Sequence, residues 1–316
     1  MFSVTALGEL LIDFTDAGIS PAGQKLFERN PGGAPANVLV ALERLGKSTA
    51  FIGKVGADMH GDFLRATLVT ADVNCDGLIT DPNYFTTLAF VALSEEGERT
   101  FSFARKPGAD TRLAPEEIRT DIIEKSRVFH VGSLSLTDEP ARSATIAALK
   151  AAKNAGCILS YDPNYRASLW ENPEVASAQM QSIVEYMDLV KINEEETTLL
   201  TGHDDPAQAA EALLAKGVKV ACVTLGGEGV LVATKEGVAM VPAFTVEAVD
   251  TTGAGDSFWG GFLCALLDNG ADVADISLED VKACARFGNA VASLCVRRRG
   301  GIPAMPTLDE VESILS

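Results

Sequence analysis

From Val128 onward the chain alternates between short apolar, β-branched runs and longer stretches whose apolar residues recur at helical spacing. RVFHVGS is followed by ARSATIAALKAAKNAG, then CILSYD, then a polar-to-amphipathic stretch to Tyr186, then DLVKIN. Runs with strand character separated by amphipathic helices predict a βαβα series. That series implies a mainly parallel sheet flanked by helices, with ligands bound beyond the carboxyl ends of its strands. Further strands are predicted over 219–225, 229–234 and 237–241, and long helices over 253–268 and 278–295.

The first hundred residues follow a different rhythm. SVTALGELLIDF is strand-like, and a polar excursion containing Gly and Pro runs from it to Gly33. TTLAFVALSEEGERTFSFARKPGAD holds two alternating runs joined by Glu-Glu-Gly, a hairpin signal. The pattern predicts one domain over 1–316 whose edge carries a small β lid, contributed by about residues 10–31 and 84–110. No internal repeat, low-complexity tract or linker marks a second domain.

Composition narrows the partners. The 316 residues are 47% hydrophobic and 22% charged, as in ordinary globular proteins, and 26 Lys and Arg against 44 Asp and Glu leave a formal charge of −18. Such a surface repels nucleic acid and anionic lipid, so neither is expected as a partner. A phosphorylated small ligand remains compatible, because a ring of backbone N–H groups with a magnesium ion overrides a distant field. Cys75, Cys157, Cys222, Cys264, Cys284 and Cys295 show no CxxC spacing and read as reduced core thiols. The start does not resemble a signal peptide and no apolar run could span a bilayer, so a cytoplasmic location is expected.

The segment AVDTTGAGDSFWGG, 248–261, concentrates the chemistry. Thr251 to Gly255 reads as a turn, and Phe258, Phe262, Ala265 and Leu266 recur at helical spacing, so a helix begins near Gly253 to Asp256. Unbonded N–H groups and the helix dipole make such an end an anion site, and glycines let a ligand oxygen approach the backbone. A cap needs one Asp, Ser or Thr. This turn carries Asp250, Thr251, Thr252, Asp256 and two glycines, Gly253 and Gly255. Phosphoryl transfer to a hydroxyl uses both features: the amides stabilise charge on the moving group while the carboxylate accepts the hydroxyl proton. Neither GxxxxGK[ST] nor GxGxxG occurs to suggest another nucleotide fold.

In NPGGAPANVLVALERLG, 30–46, Ala34, Val38, Ala41, Leu42 and Leu45 share one helical face. Gly32-Gly33 is then the turn before the helix, and Asn37 lies in its first turns. Close backbone approach plus an amide suits the hydroxyls of a sugar.

GGAPANVLVALERLGKSTAFIGKVG and DTTGAGDSF resemble, motif for motif and in this order, the two signature regions of the ribokinase-like (PfkB-type) carbohydrate kinases. The resemblance covers essentially Gly8 to Pro306. It implies that Asp256 is the catalytic base and that Gly253, Ala254 and Gly255 form the anion hole. Asp13 of GELLID is implied as the sugar-binding acid, with Gly32, Gly33 and Asn37 as sugar-binding turn and amide. Independently, Glu9, Leu11 and Asp13 fall on one face of a strand. The NxxE pattern of KINEEE implies that Asn193 and Glu196 help position magnesium, Glu196 through water, and the nucleotide phosphates. The resemblance further places Thr224, Gly226, Gly229 and Asn289 with the ATP. Many of these kinases bind a monovalent cation. Asp250 and Thr252 match that loop, the carbonyls of Cys295, Arg298 and Gly300 align with its far side, and Ala304 replaces a serine that sometimes contributes, so potassium is a weaker implication than ATP and Mg²⁺.

SYDPNYRASLW, 160–170, together with FARKPGAD, 103–110, is similar to bacterial and plant fructokinases. Arg166 suits bidentate binding of an anionic group. The corresponding region of 2-keto-3-deoxygluconate kinases uses an arginine for the substrate carboxylate, a role open to Arg105 or Arg166. Those kinases tend to carry tyrosines where this chain has Phe101 and Phe103, so fructose leads as acceptor. Phe103 either covers the sugar or packs the lid. Lid edges in this family often pair between subunits, which implies a homodimer. Of the histidines, His130 reads as a hydrogen-bonded structural residue, and His60 and His203 lie in polar loops. A dehydrogenase lacks its glycine fingerprint after strand one, and a non-catalytic sugar-binding relative would have lost the base or the glycines retained here.

Overall fold

A computed structural model describes residues 1–93 and 99–316, and the side chains of 92, 93 and 99–101 are not part of that description. The Glu-Glu-Gly connection of the predicted hairpin therefore lies outside the described residues, as does the side chain of Phe101.

The chain opens with β1 (Phe2–Leu7), β2 (Leu11–Ile19), β3 (Lys25–Gly32) and α1 (Ala34–Arg44). It continues through β4 (Thr49–Gly56), α2 (Met59–Thr70), β5 (Asn74–Asp81), β6 (Leu88–Leu93) and β7 (Arg99–Ala104). The short α3 (Thr120–Ile123) precedes β8 (Ser126–Val131), α4 (Ala141–Asn154), β9 (Ile158–Tyr161), α5 (Pro173–Gln181), β10 (Leu189–Asn193) and α6 (Glu194–Thr201). Then come α7 (Pro206–Ala215), β11 (Val220–Thr224), β12 (Gly229–Thr234), β13 (Gly237–Pro242), α8 (Ala254–Asn269), α9 (Leu278–Cys295) and α10 (Leu308–Leu315).

Nine strands form one sheet in the order β13-β12-β11-β10-β9-β8-β1-β4-β5. The strands from β11 across to β5 pair in parallel, while β12 and β13 fold back antiparallel. The parallel strands read as near-continuous apolar runs because helices cover both faces: β4 is buried throughout, and β8 and β10 over their inner residues. Leaving β1, the chain builds β4 and β5 on one side and then β8 on the other. That reversal opens a crevice at the carboxyl ends, where ligands bind in such folds.

A second, four-stranded sheet has the order β3-β2-β6-β7. The polar excursion before Gly33 is thus two paired strands rather than a loop. Its charged and exposed residues obscure the alternation, since one face of this sheet meets solvent. β6 and β7 pair antiparallel, and β2 and β6 pair in parallel to join the two hairpins.

Two helices set the floor of the crevice. In α8, Trp259, Phe262 and Leu263 are fully buried, and the helix is apolar nearly all round because α1 and α9 flank it. Gly260 and Gly261 make this possible. A methyl on Gly260 would lie 2.7 Å from the Ala41 Cβ of α1, and one on Gly261 would lie 2.7 Å from Val291 of α9. The first turns of α1 and α8 are thereby held side by side.

Candidate active site

One cavity of about 570 Å³ runs along the carboxyl ends of the parallel strands and under the second sheet. Glu9 reaches it from beyond β1, Asp13 from β2, Asn164 and Arg166 from beyond β9, Asn193 from the end of β10 with Glu194 and Glu195 from the start of α6, and Thr224 and Gly226 from the end of β11 and just beyond it. The first turns of α1 and α8 close it with Gly33, Ala34 and Asn37, and with Thr251 to Asp256. Besides Asp13, the lid sheet supplies Leu11, Thr15, Val91 and Phe103.

Asp256 occupies the third position of α8 and is 8% exposed. Its Oδ2 accepts a 2.7 Å hydrogen bond from Asn37 Nδ2, which joins the two helix starts directly. Burial raises its pKa from 3.8 to about 6, and the nearby Asp162 carboxylate adds to the rise. The Asn37 donor and the charges of Lys191 and Arg166 oppose it. The result is a carboxylate that is ionised at neutral pH yet basic enough to accept a proton. Asp13 behaves alike: burial lifts it to about 6, against the pull of Arg166 and with the Asp256 charge adding to the rise.

The backbone before Asp256 is arranged as the glycines suggest. Gly253 caps α8 with a left-handed φ of 77°, and no side chain caps the helix. Ala254 N bonds to Thr251 O at 3.2 Å and Ser257 N to Gly253 O at 2.8 Å. Among the described residues the amides of Gly255 and Asp256 have no protein acceptor, so this end of α8 keeps donors for an anion. A methyl on Gly255 would lie 2.8 Å from Lys191 Nζ, so the missing side chain admits an ammonium group against the helix end.

Lys191 is buried and held by a 2.8 Å ion pair with Asp162 Oδ2. Burial works against its charge, but the Asp162, Glu196 and Asp256 carboxylates outweigh it and hold the pKa above the ordinary lysine value. A fixed cation thus stands beside the open amides. The sequence reading missed Lys191, although its place two residues before Asn193, at the end of a strand leading into the crevice, was a usable signal.

The structure brings most of the sequence-predicted residues together. Asp13, Gly33, Asn37, Phe103, Arg166, Asn193, Thr224, Gly226 and the 253–256 turn all line the cavity. Gly32 is needed because Asp13 lies on it: a methyl there would fall 2.1 Å from Asp13 Oδ2. Other predicted residues serve the frame. Arg105 is buried and bonded to Asp110, Thr137 Oγ1 and Leu134 O, away from the cavity lining. Glu196 accepts from Tyr165 N at 2.7 Å and Asn193 N at 2.9 Å, while Asn193 Oδ1 accepts from Glu196 N. This capping box ties the 162–166 loop to α6 and leaves Glu194 and Glu195 facing the cavity. Gly229, at φ 114°, lets the start of β12 lie close against the end of β13, with Val241 O 2.2 Å from where its Cβ would be. Asn289 Nδ2 donates to Val241 O and Pro242 O, fastening α9 to β13.

The predicted cation loop is stitched to its far side. Asp250 accepts from Thr252 N, Thr252 Oγ1 and Gly300 N, and Val296 O accepts from Val249 N and Asp250 N. Thr252, Asp250 and Gly300 line a side cavity of about 150 Å³, while Cys295 and Arg298 do not. The Arg298 side chain pairs with Glu310. His130 Nδ1 lies 3.0 Å from Ser160 Oγ in the core, and burial lowers its pKa to about 4. All six cysteines are free thiols.

A family model described as "pfkB family carbohydrate kinase" matches residues 1–308. The chain is 46% identical over 320 residues to "Probable fructokinase-6, chloroplastic" of Arabidopsis thaliana, covering 99% of this chain and 82% of that one. It is 43% identical over 317 residues to "Fructokinase-2" of Solanum habrochaites, covering 99% and 95%. Among solved structures, a fructokinase from Xylella fastidiosa with bound ATP superposes with a TM-score of 0.91 at 35% identity, covering 99% of this chain and 98% of that chain. A double mutant of fructokinase from Vibrio cholerae O395, bound to fructose, ADP and potassium ion, gives 0.90 at 34%, covering 100% and 99%.

Proposed function

The chain belongs to the pfkB family of carbohydrate kinases, and from that premise we propose that it is a fructokinase, transferring the γ-phosphoryl group of ATP to a primary hydroxyl of fructose. The observation that carries this reading is the 2.7 Å bond between Asn37 and Asp256, which sets a proton acceptor beside a helix end with open amides inside one cavity. Asp13 and Asn37 orient the sugar, and Asp256 takes the proton of the attacking hydroxyl. As the new O–P bond forms and the bond to the leaving ADP breaks, the 253–256 amides and the Lys191 ammonium receive the charge of the moving phosphoryl. Asn193, Thr224 and Gly226 line the nucleotide end, and Phe103 on the lid helps exclude water, which competes as acceptor. Three carboxyl groups, Glu9, Asp13 and Asp256, surround the acceptor end and disfavour a sugar acid. The charge of Arg166 already favours the ionised forms of Asp13 and Asp256.

Among the described residues no cluster of three His, Cys, Asp or Glu side chains is ready for a metal ion. This fits magnesium, which keeps several waters and travels on phosphates; Asn193, Glu194 and Glu195 would meet its hydrated face, and it would neutralise phosphate charge there. Potassium would sit beside the Asp250–Thr252 loop, and replacing it with an organic cation should then lower activity. The exposed aromatic face of the lid, with Phe27 and Phe90 6.1 Å apart and Phe90 stacked on Phe14, fits a homodimer through this sheet, to be checked by light scattering. No helix among the described residues is long and apolar enough to cross a membrane, and a cytoplasmic location is part of this proposal.

The test of the function is a coupled assay of ADP formation with fructose, 2-keto-3-deoxygluconate, ribose, tagatose and a nucleoside. Fructose should have the highest kcat/KM. High efficiency with the sugar acid and none with fructose would reverse the assignment of acceptor.

A further inference from the structure

Glu9 lines the cavity and has no part in the transfer of the phosphoryl group. Its side chain is buried, the residue being 3% exposed, and Oε1 accepts from Ala34 N at 2.9 Å. It therefore caps α1 from a distance, where the local cap residue, Gly33, has no side chain to offer. Oε2 has no hydrogen-bond partner among the described residues. Asn37 Oδ1, in the same first turn of α1, is likewise unpartnered and buried on a cavity-lining residue.

Capping alone does not account for a carboxyl group here. An amide oxygen would hold Ala34 N as well and would avoid the cost of taking a carboxylate out of water. Buried polar atoms without partners are rare, and two of them flanking one turn at the acceptor end match a ligand that supplies donors. A sugar supplies several hydroxyls. The charged groups facing Glu9 are Arg105 and Asp110, and they are already joined to each other at 2.7 Å.

We propose that Glu9 is a specificity residue for the acceptor, holding the Gly33–Ala34 turn with Oε1 and accepting a hydroxyl of a neutral sugar with Oε2. The inference rests on the sugar-kinase reading and extends it to a residue outside the reacting atoms. The same carboxyl group disfavours a carboxylate-bearing acceptor, so Glu9 also separates ketoses from sugar acids.

The decisive variant is Glu9→Gln, whose amide oxygen can still cap α1 while its NH₂ group cannot accept a hydroxyl. The KM for fructose should rise roughly tenfold, the KM for ATP should stay constant, and kcat/KM for fructose relative to 2-keto-3-deoxygluconate should fall. A purely structural role would lower the melting temperature or kcat and leave the fructose KM and the selectivity ratio unchanged, which overturns the inference. Should the variant not fold, a crystal structure of the unaltered protein with fructose decides: a sugar oxygen within hydrogen-bonding distance of Oε2 sustains the proposal, and its absence refutes it. A wild-type protein that phosphorylates no sugar refutes the kinase reading itself. A wild type active on fructose, with an unaltered fructose KM in Glu9→Gln, refutes only the role of Glu9.

Discussion

The molecule builds two glycine turns that enter helices side by side, and they end differently. At α1, Gly33 adopts φ 120°, no side chain of its own caps the helix, and the carboxyl group of Glu9 reaches across to hold Ala34 N. At α8, Gly253 adopts φ 77°, again with no local cap, yet nothing in the described protein takes the amides of Gly255 and Asp256. One local pattern gives a turn whose leading amide is held by Glu9 while Asn37 reaches the neighbouring helix, and a turn whose Gly255 and Asp256 amides stay open to a ligand. The lesson is that a glycine before a helix supplies shape, while the partner of the first amides decides the chemistry.

The sharpest way to break this contrast is to remove the acid on the open turn. Asp256→Asn should lower turnover roughly 10²–10⁴-fold with a smaller change in fructose KM, measured by the coupled assay. Near-normal turnover would take Asp256 out of the mechanism. Next in size is Gly255→Ala, whose methyl must displace the Lys191 ammonium 2.8 Å away. Losing part of the anion site in this way should reduce kcat on the order of 10²-fold, with the melting temperature little changed.

The acid also gives the turn a pH signature. Asp256 must be ionised to accept a proton, and its pKa is about 6, so kcat should fall about tenfold per pH unit below that value and level off above pH 7. A flat profile down to pH 5 would contradict its role as base. On the α1 turn the expected loss is in stability. Gly33→Ala forces a methyl to 2.4 Å from Glu9 O at a positive φ, at a cost of at least about 2 kcal/mol, readable by urea titration.

The smallest effect concerns the charge on Glu9, whose pKa burial raises from 4.5 to about 7. The folded state binds this proton more tightly than the unfolded chain does. This contribution to folding is therefore fully present below about pH 4.5 and is lost progressively as pH rises to and through about 7. Relative to wild type, Glu9→Gln should gain a few degrees in melting temperature at pH 8 and little at pH 5. An equal change at both pH values would show that Glu9 keeps no such proton.

Much of the fold lay open in the chain, since apolar periodicity is a local property. The spans predicted for β11 to β13 and for α8 and α9 agree with the structure to within a residue or two at their ends. The lid strands β2 and β3 were less visible, because an edge sheet with one wet face carries the polar residues of a loop. Asn37 and Asp256 stand out in the sequence because each follows a glycine turn leading into an apolar helix, whereas Asp13 is reached only through the resemblance to the family motif.

By itself, then, the sequence determined a mainly parallel α/β sheet with a small lid, two glycine turns, and the acid and amide that stand on them. Only the tertiary structure decided that Asn37 meets Asp256 across 219 positions, that Lys191 fills the space Gly255 leaves, and that Arg105, Glu196 and Asn289 are committed to the frame. The physical reason is that a side chain's type is written locally, whereas its burial and its hydrogen-bond partner come from elements distant in the chain that packing alone brings together.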